Sequence, residues 1–266
     1  MRKRGWTAAA LAIAVTMSGA RLALAENALS FPATSFKILN PDNGAEIGHS
    51  RYRVESTNDG GILHGDNHYD DGTWDFETSH LLSQEAGQLP KLVEFDHTFY
   101  RADGSILMRS YLDVNTGDAT CIDNAGGQKS AQSSTLSIPD GTWAGASIML
   151  PMQDYLRAGA GAAAGSLHVF SCAPGPQIFS ISLQTDPGKA VWAVYGGETI
   201  RVEVLPNFGW LNVFIAPFVP KLYARFDPND GYAFVGDEAA RYYRGPRIML
   251  VKTRSGDGKE GPRRAK

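Results

Sequence analysis

The sequence predicts an all-β or β-rich fold: a curved antiparallel meander sheet, forming a partly open half-barrel, with one short helix. Three observations predict it. Turn signals recur along the whole chain, the runs between them alternate apolar and polar residues, and helical spacing is sparse.

The turn signals begin with Asn40-Pro41-Asp42-Asn43-Gly44, Asn58-Asp59-Gly60-Gly61, Asp71-Gly72, Asp103-Gly104 and Asn115-Thr116-Gly117. They continue with Asp140-Gly141, Asp186-Pro187-Gly188, Gly196-Gly197 and Asn229-Asp230-Gly231. Asn and Asp tolerate the left-handed conformation and Gly adopts it without steric cost, so such pairs close hairpins. Runs of strand length lie between them. Val93, Phe95, His97 and Phe99 alternate with Glu94, Asp96, Thr98 and Tyr100. Phe179, Ile181 and Leu183 alternate with Ser180, Ser182 and Gln184, and Ile200, Val202 and Val204 with Arg201 and Glu203. A period of two describes a sheet packed on one side and wet on the other. The best helical stretch is Ala144 to Ala158, where Ile148, Met149, Met152, Tyr155 and Leu156 recur near helical spacing despite Pro151. A flexible Gly/Ala link, Gly159 to Gly165, follows it.

The N-terminus reads as an export signal. Arg2, Lys3 and Arg4 precede the apolar Ala8 to Met17, and Leu22-Ala23-Leu24-Ala25 offers a small-x-small cleavage end. That apolar run is shorter than the roughly 20 residues a membrane span needs. We therefore expect residues 1–25 to be a signal peptide, 26–253 one antiparallel β domain, and 254–266 a disordered basic tail. The expected location is periplasmic. No later segment has spanning length without charge, Pro or Gly, and no Cys follows the cleavage site to carry acyl chains.

Losing Arg2, Lys3, Arg4 and Arg21 with the signal takes the formal charge from −3 to −7. An acidic chain is a poor partner for nucleic acid, which rewards clustered Lys and Arg. The C-terminal end is the exception: Lys252, Arg254, Lys259, Arg263, Arg264 and Lys266 face only Asp257 and Glu260. It reads as a solvated tail, with contact to an anionic lipid or polymer as the sharper reading. Cys121 and Cys172 are the two cysteines. In an oxidising compartment one bridge is the default, with two buried thiols as the alternative.

Three hairpin motifs carry a family likeness. Tyr69-Asp70-Asp71-Gly72-Thr73-Trp74, Phe99-Tyr100-Arg101-Ala102-Asp103-Gly104 and Leu112-Asp113-Val114-Asn115-Thr116-Gly117 resemble those of DUF3108-like exported proteins. Tyr223-Ala224-Arg225-Phe226-Asp227-Pro228 and Tyr242-Tyr243-Arg244-Gly245-Pro246 add to the resemblance. It implies a half-barrel envelope fold, similar to lipid and lipoprotein carriers, whose concave face holds something apolar. It implies no catalytic residue.

Candidate chemistry is thin. His64, Asp66 and His68 share one face if they lie in a strand, a donor set that suits zinc, with His49 or His80 as a more distant ligand. The local Gly and Asp content reads equally well as a solvated hairpin end. His97, between Phe95 and Phe99, reads as a hydrogen-bonded core residue, and His168, beside Val169 and Phe170, has a similar setting. Asp70 and Asp71 read as turn formers. No nucleophile elbow, His-Glu-x-x-His helix or phosphate loop is present. The segment from Phe208 to Tyr223 crowds apolar residues around Pro217 and Pro220, which exclude a central strand or an unbroken helix. Trp210, Phe214 and Phe218 from that segment, with Trp143, Met152 and Tyr155 around the helix, form the expected apolar binding set. The leading reading is a cofactor-free, non-enzymatic binder or carrier of a lipid-like or other apolar ligand. The alternatives are an envelope module that presents a sheet edge or the tail to a protein partner, and a metal-dependent enzyme built on His64, Asp66 and His68.

Overall fold

A computed structural model describes residues 33–125, 129–159, 167–173, 175–186, 188–207, 222–242 and 244–253. The expected signal segment (1–25), the expected tail (254–266), and Trp210, Phe214 and Phe218 lie outside these residues.

The strands are β1 (Thr34–Leu39), β2 (Glu46–Ser56), β3 (Gly60–Tyr69), β4 (Trp74–Leu82), β5 (Lys91–Tyr100), β6 (Ile106–Asp113), β7 (Asp118–Asp123) and β8 (Ser130–Thr135). After β9 (Thr142–Trp143) come a 3-10 turn (Gly145–Ile148) and helix α1 (Met149–Arg157). Then follow β10 (Leu167–Ser171), β11 (Gln177–Thr185), β12 (Ala190–Trp192), β13 (Gly197–Asn207), β14 (Leu222–Asp227), β15 (Ala233–Ala240) and β16 (Arg247–Lys252).

They form one sheet in the order β8-β7-β6-β5-β4-β3-β2-β1-β16-β15-β14-β13-β11-β10-β9, with β12 paired to β13. All neighbours are antiparallel except β9 and β10. The first and last strands pair in the middle of the sheet, and its two edges, β8 and β9, are consecutive in sequence. That connectivity forces curvature. Laid flat at about 4.8 Å per step, the fifteen strands of the path would be roughly 67 Å wide. The chain from Thr135 to Thr142 reaches on the order of 25 Å when fully extended. The sheet therefore curls until its edges approach. Cys121 in β7 and Cys172 just after β10 close the seam with a disulfide, their Cα atoms 5.5 Å apart.

The hairpins follow the turn chemistry. Asp71 Oδ1 accepts from the Thr73 amide at 2.9 Å, Asp103 Oδ1 from Ser105 at 2.9 Å, and Asp113 Oδ1 from Asn115 at 2.8 Å. Each is followed by a glycine in the left-handed region: Gly72, Gly104 and Gly117. A carboxylate that mimics the turn backbone, then a residue free of the Cβ clash, is what a short hairpin requires. The three hairpin motifs singled out in the sequence are these three turns.

The concave face holds the core. Leu63, Leu81, Leu92, Phe95, Leu112 and Phe170 gather around Trp143 on one side. Ile181, Val202, Val204, Ala224 and Phe226 pack against Met152 and Leu156 of α1 on the other. Pro151 sits in the first turn of the helix, where its missing N–H has no intrahelical partner to lose. Asp154 and Arg157 face solvent.

Two details depart from the sequence reading. A bulge opposite His80 and Leu81 changes the parity of β5, so Leu92 rather than Val93 joins the core. The convex side is not wet throughout: Trp192 and Tyr195, from the β12 hairpin, cover Leu39, Val235 and Val251. Ile38 and Leu250, one residue away from Leu39 and Val251, face the concave side.

Candidate functional site

The inner face of β2 to β5 carries polar side chains where apolar ones are expected. In β4, Asp75, Glu77 and Ser79 are buried on the same face as Leu81, while Phe76, Thr78 and His80 are more exposed. Asn67 and Tyr69 of β3 and His97 of β5 meet them. Asp75 is the hub, with no exposed surface. Its Oδ1 accepts from Asn67 Nδ2 at 2.6 Å and lies 2.8 Å from His97 Nε2, and its Oδ2 accepts from Tyr69 OH at 3.1 Å. Glu77 Oε1 accepts from the Ala146 amide at 2.6 Å, which ties the strand to the turn before α1. Its Oε2 stands 3.6 Å from His97 Nδ1.

Both nitrogens of His97 thus face carboxylates. Burial opposes its charging, but the Asp75 hydrogen bond and the charges of Asp75 and Glu77 prevail, and its pKa lies above the ordinary value. Burial raises the Glu77 carboxyl, against the pull of His97 and the Ala146 amide. A fourth ionisable group arrives from far along the chain. A bulge in β15 at its pairing with Arg225 and Phe226 shifts the alternation, so that Phe234 and Asp237, three residues apart, line the same cavity. Burial first, and the charges of Glu77 and Glu238 after it, push Asp237 up to about 7, with the Leu250 amide opposing.

Asn67, Tyr69, Asp75, Glu77, His97 and Asp237 give a polar wall to a cavity of about 230 Å³, whose remaining wall combines Tyr52 and Arg241 with apolar Phe99, Met152, Leu222 and Ile248; we call it the polar chamber. The Arg241 guanidinium lies 3.3 Å from the Tyr69 ring centroid and pairs with Asp71 at 3.2 Å. A second cavity, of about 270 Å³, is mainly apolar. Phe36, Tyr52, Val54, Leu63, Leu81 and Leu150 line it, with Arg53, Arg157, Asp230 and Lys252 also on its wall. Tyr52, Ala146, Met149 and Phe234 line both cavities, so the two adjoin.

A carboxyl raised from 3.8 to about 7 makes a signed prediction. Ionised Asp237 costs stability. The cost is absent well below pH 3.8, where the group is neutral folded or unfolded, grows as pH rises through 3.8, and is complete above about 7. Asp237→Asn is therefore expected to gain up to about 4 kcal/mol at pH 8 and almost nothing at pH 3. Thermal melts at the two pH values check it; equal stability at pH 8 contradicts it.

The residues predicted from sequence fall in several places. Met152 lines the polar chamber, Trp143 is buried in the core beside β10, and Tyr155 packs beside Ile181 and Val202. His64, Asp66 and His68 do share one face of β3, the convex one. There His64 pairs with Glu55 at 3.3 Å and His68 with Asp66 at 2.9 Å, while the His49 and His68 rings stack at 5.3 Å. Among the described residues no group of three or more His, Cys, Asp or Glu is placed to hold a metal ion. Sequence reasoning missed Asn67, Asp75, Glu77 and Asp237. The available signal was parity: Asp75, Glu77 and Ser79 alternate in step with Leu81.

No protein-family model and no curated protein matches the chain. A solved structure that does match is the β-barrel-like protein of domain of unknown function DUF1849 from Brucella abortus. It is 9% identical, with a TM-score of 0.42, over 84% of this chain and 95% of that one. Among the described residues no helix is long and apolar enough to cross a membrane.

Proposed function

We propose that this chain is a non-enzymatic binding or carrier protein of a periplasm-like compartment, which holds a small apolar molecule inside its curled sheet. The apolar chamber carries the reading. A close-packed core leaves few voids larger than a water molecule, and an apolar void of ~150 Å³ already accepts benzene. At about 270 Å³ the chamber lies just under the range of ligand pockets, which run ~300–1,000 Å³. A single short chain or small ring system fits that volume; a two-chain phospholipid does not. The likeness to DUF3108-like exported proteins points the same way. The disulfide and the signal-like N-terminus support the oxidising compartment. With both His97 nitrogens turned toward carboxylates and no nucleophile motif in the sequence, binding without chemistry is the reading we favour.

Titration with N-phenyl-1-naphthylamine, whose fluorescence rises in apolar surroundings, tests it. One saturable site per chain is expected, weakened at least tenfold by Val54→Phe, which fills the chamber from β2. Unsaturable fluorescence, or an affinity unchanged by Val54→Phe in a folded variant, removes the reading. A second reading rests on β8, exposed along its whole length at the end of the sheet path. Such an edge suits strand addition by a protein partner.

A further inference from the structure

The hydrogen-bond inventory of the polar chamber is lopsided. Asp75 is saturated by three donors, but the groups around it are not. Asn67 must turn Nδ2 toward the Asp75 carboxylate, which leaves Oδ1 facing no donor although the residue is more than nine-tenths buried. Glu77 Oε2 has His97 only at 3.6 Å, and the Asp237 carboxyl has the Leu250 amide. Acceptors with spare capacity thus come from β3, β4 and β15. On the donor side, His97 lies between Asp75 and Glu77, and Arg241 pairs with Asp71 through a terminal nitrogen while its buried Nε is left without an acceptor. A buried acceptor without a donor is costly, so a chamber lined by Asn67 Oδ1 and the carboxyls of Glu77 and Asp237 is suited to a molecule that brings donors.

We propose that the polar chamber binds a protonated primary amine belonging to the molecule whose apolar part fills the adjoining chamber, with Glu77 and Asp237 as counter-ions and Asn67 Oδ1 as neutral acceptor. This rests on the apolar-ligand reading and names its chemical class: a single-chain or small-ring alkylamine. Other head groups fit less well. A carboxylate meets Glu77 and Asp237 as like charges, and a hydroxyl brings one donor where an ammonium brings three and no acceptor. A bare metal ion lacks a converging ligand set, and 230 Å³ is far larger than it needs. The rings of Tyr52, Phe99 and Phe234 on the chamber wall suit an organic cation.

Calorimetric titration of the full chain with decylamine and with decanol, two ligands of equal chain length, tests the inference. At pH 8 decylamine is expected to bind at least tenfold more tightly, and Asp237→Asn and Glu77→Gln each to remove most of that preference while decanol affinity stays. The wild-type chain gives an independent readout should a variant fail to fold. Between pH 8 and pH 5.5 the preference falls threefold or more as Asp237 takes up its proton. The groups set around Asp237 are Glu77 on β4, Tyr52 on β2, and Glu238 and Arg241 nearby. Equal affinity for the two ligands at pH 8, or a preference that survives both substitutions, overturns the amine and leaves the apolar reading standing if decanol binds. Decylamine binding without decanol or the neutral fluorophore leaves the amine and removes the apolar reading. Binding of neither ligand removes both.

Discussion

Asp75→Ala is expected to lose about 3–5 kcal/mol of stability, the range for removing one partner from a buried, hydrogen-bonded charge pair. The carboxylate is completely buried and bound by Asn67, Tyr69 and His97. Truncation leaves three polar groups without their partner, and His97 keeps only the more distant Glu77. Asp75→Asn retains a carbonyl acceptor but removes the charge that sustains the imidazolium, so the His97 pKa drops as well. Urea denaturation with NMR titration of His97 separates the two effects. A loss below about 1 kcal/mol for Asp75→Ala means that the cluster is hydrated and loosely held, contrary to the geometry.

Loss of the Cys121–Cys172 bridge is expected to cost about 4 kcal/mol, the chain-entropy value for closing a loop whose ends are 51 residues apart. The effect has a spatial signature. Along the sheet path β7 and β10 are nearly at opposite ends, so the bridge acts on the seam and leaves the centre of the sheet alone. In the Cys121→Ser/Cys172→Ser double variant, hydrogen exchange rises in β7, β8 and β10 and stays unchanged in β1 to β4. Denaturant unfolding gives the magnitude. Uniform exchange across the sheet contradicts the seam.

The fold was largely readable because local chemistry carries it. Asp-Gly and Asn-x-Gly turns announce their hairpins through a side-chain acceptor and a left-handed glycine, both of which act over three or four residues. The helix was readable from the spacing of Met149, Met152 and Leu156. Curling was not readable from any one segment, since it arises from β1 pairing with β16, more than 200 residues away. The two bulges were equally hidden: an extra residue in β5 or β15 leaves composition unchanged yet reverses which side chains face inward. That is why Val93 read as core, and why Asp237 drew no attention. The polar chamber escaped for the same reason. Glu77 and Asp237 approach each other through tertiary contact alone, and a carboxylate in an alternating strand normally points to water. Parity with Leu81 was the one local clue that Asp75 and Glu77 point inward. Aromatic content was a poor guide to the cavity wall, because Trp143 and Tyr155 fill space in the core instead of bounding it.

Native mass spectrometry of the gently purified chain most directly tests whether the curled sheet is a container. One non-covalently held small molecule per chain, lost after organic extraction and regained from added decylamine or N-phenyl-1-naphthylamine, is the expected result. A bare chain mass that stays bare in the presence of either compound contradicts it.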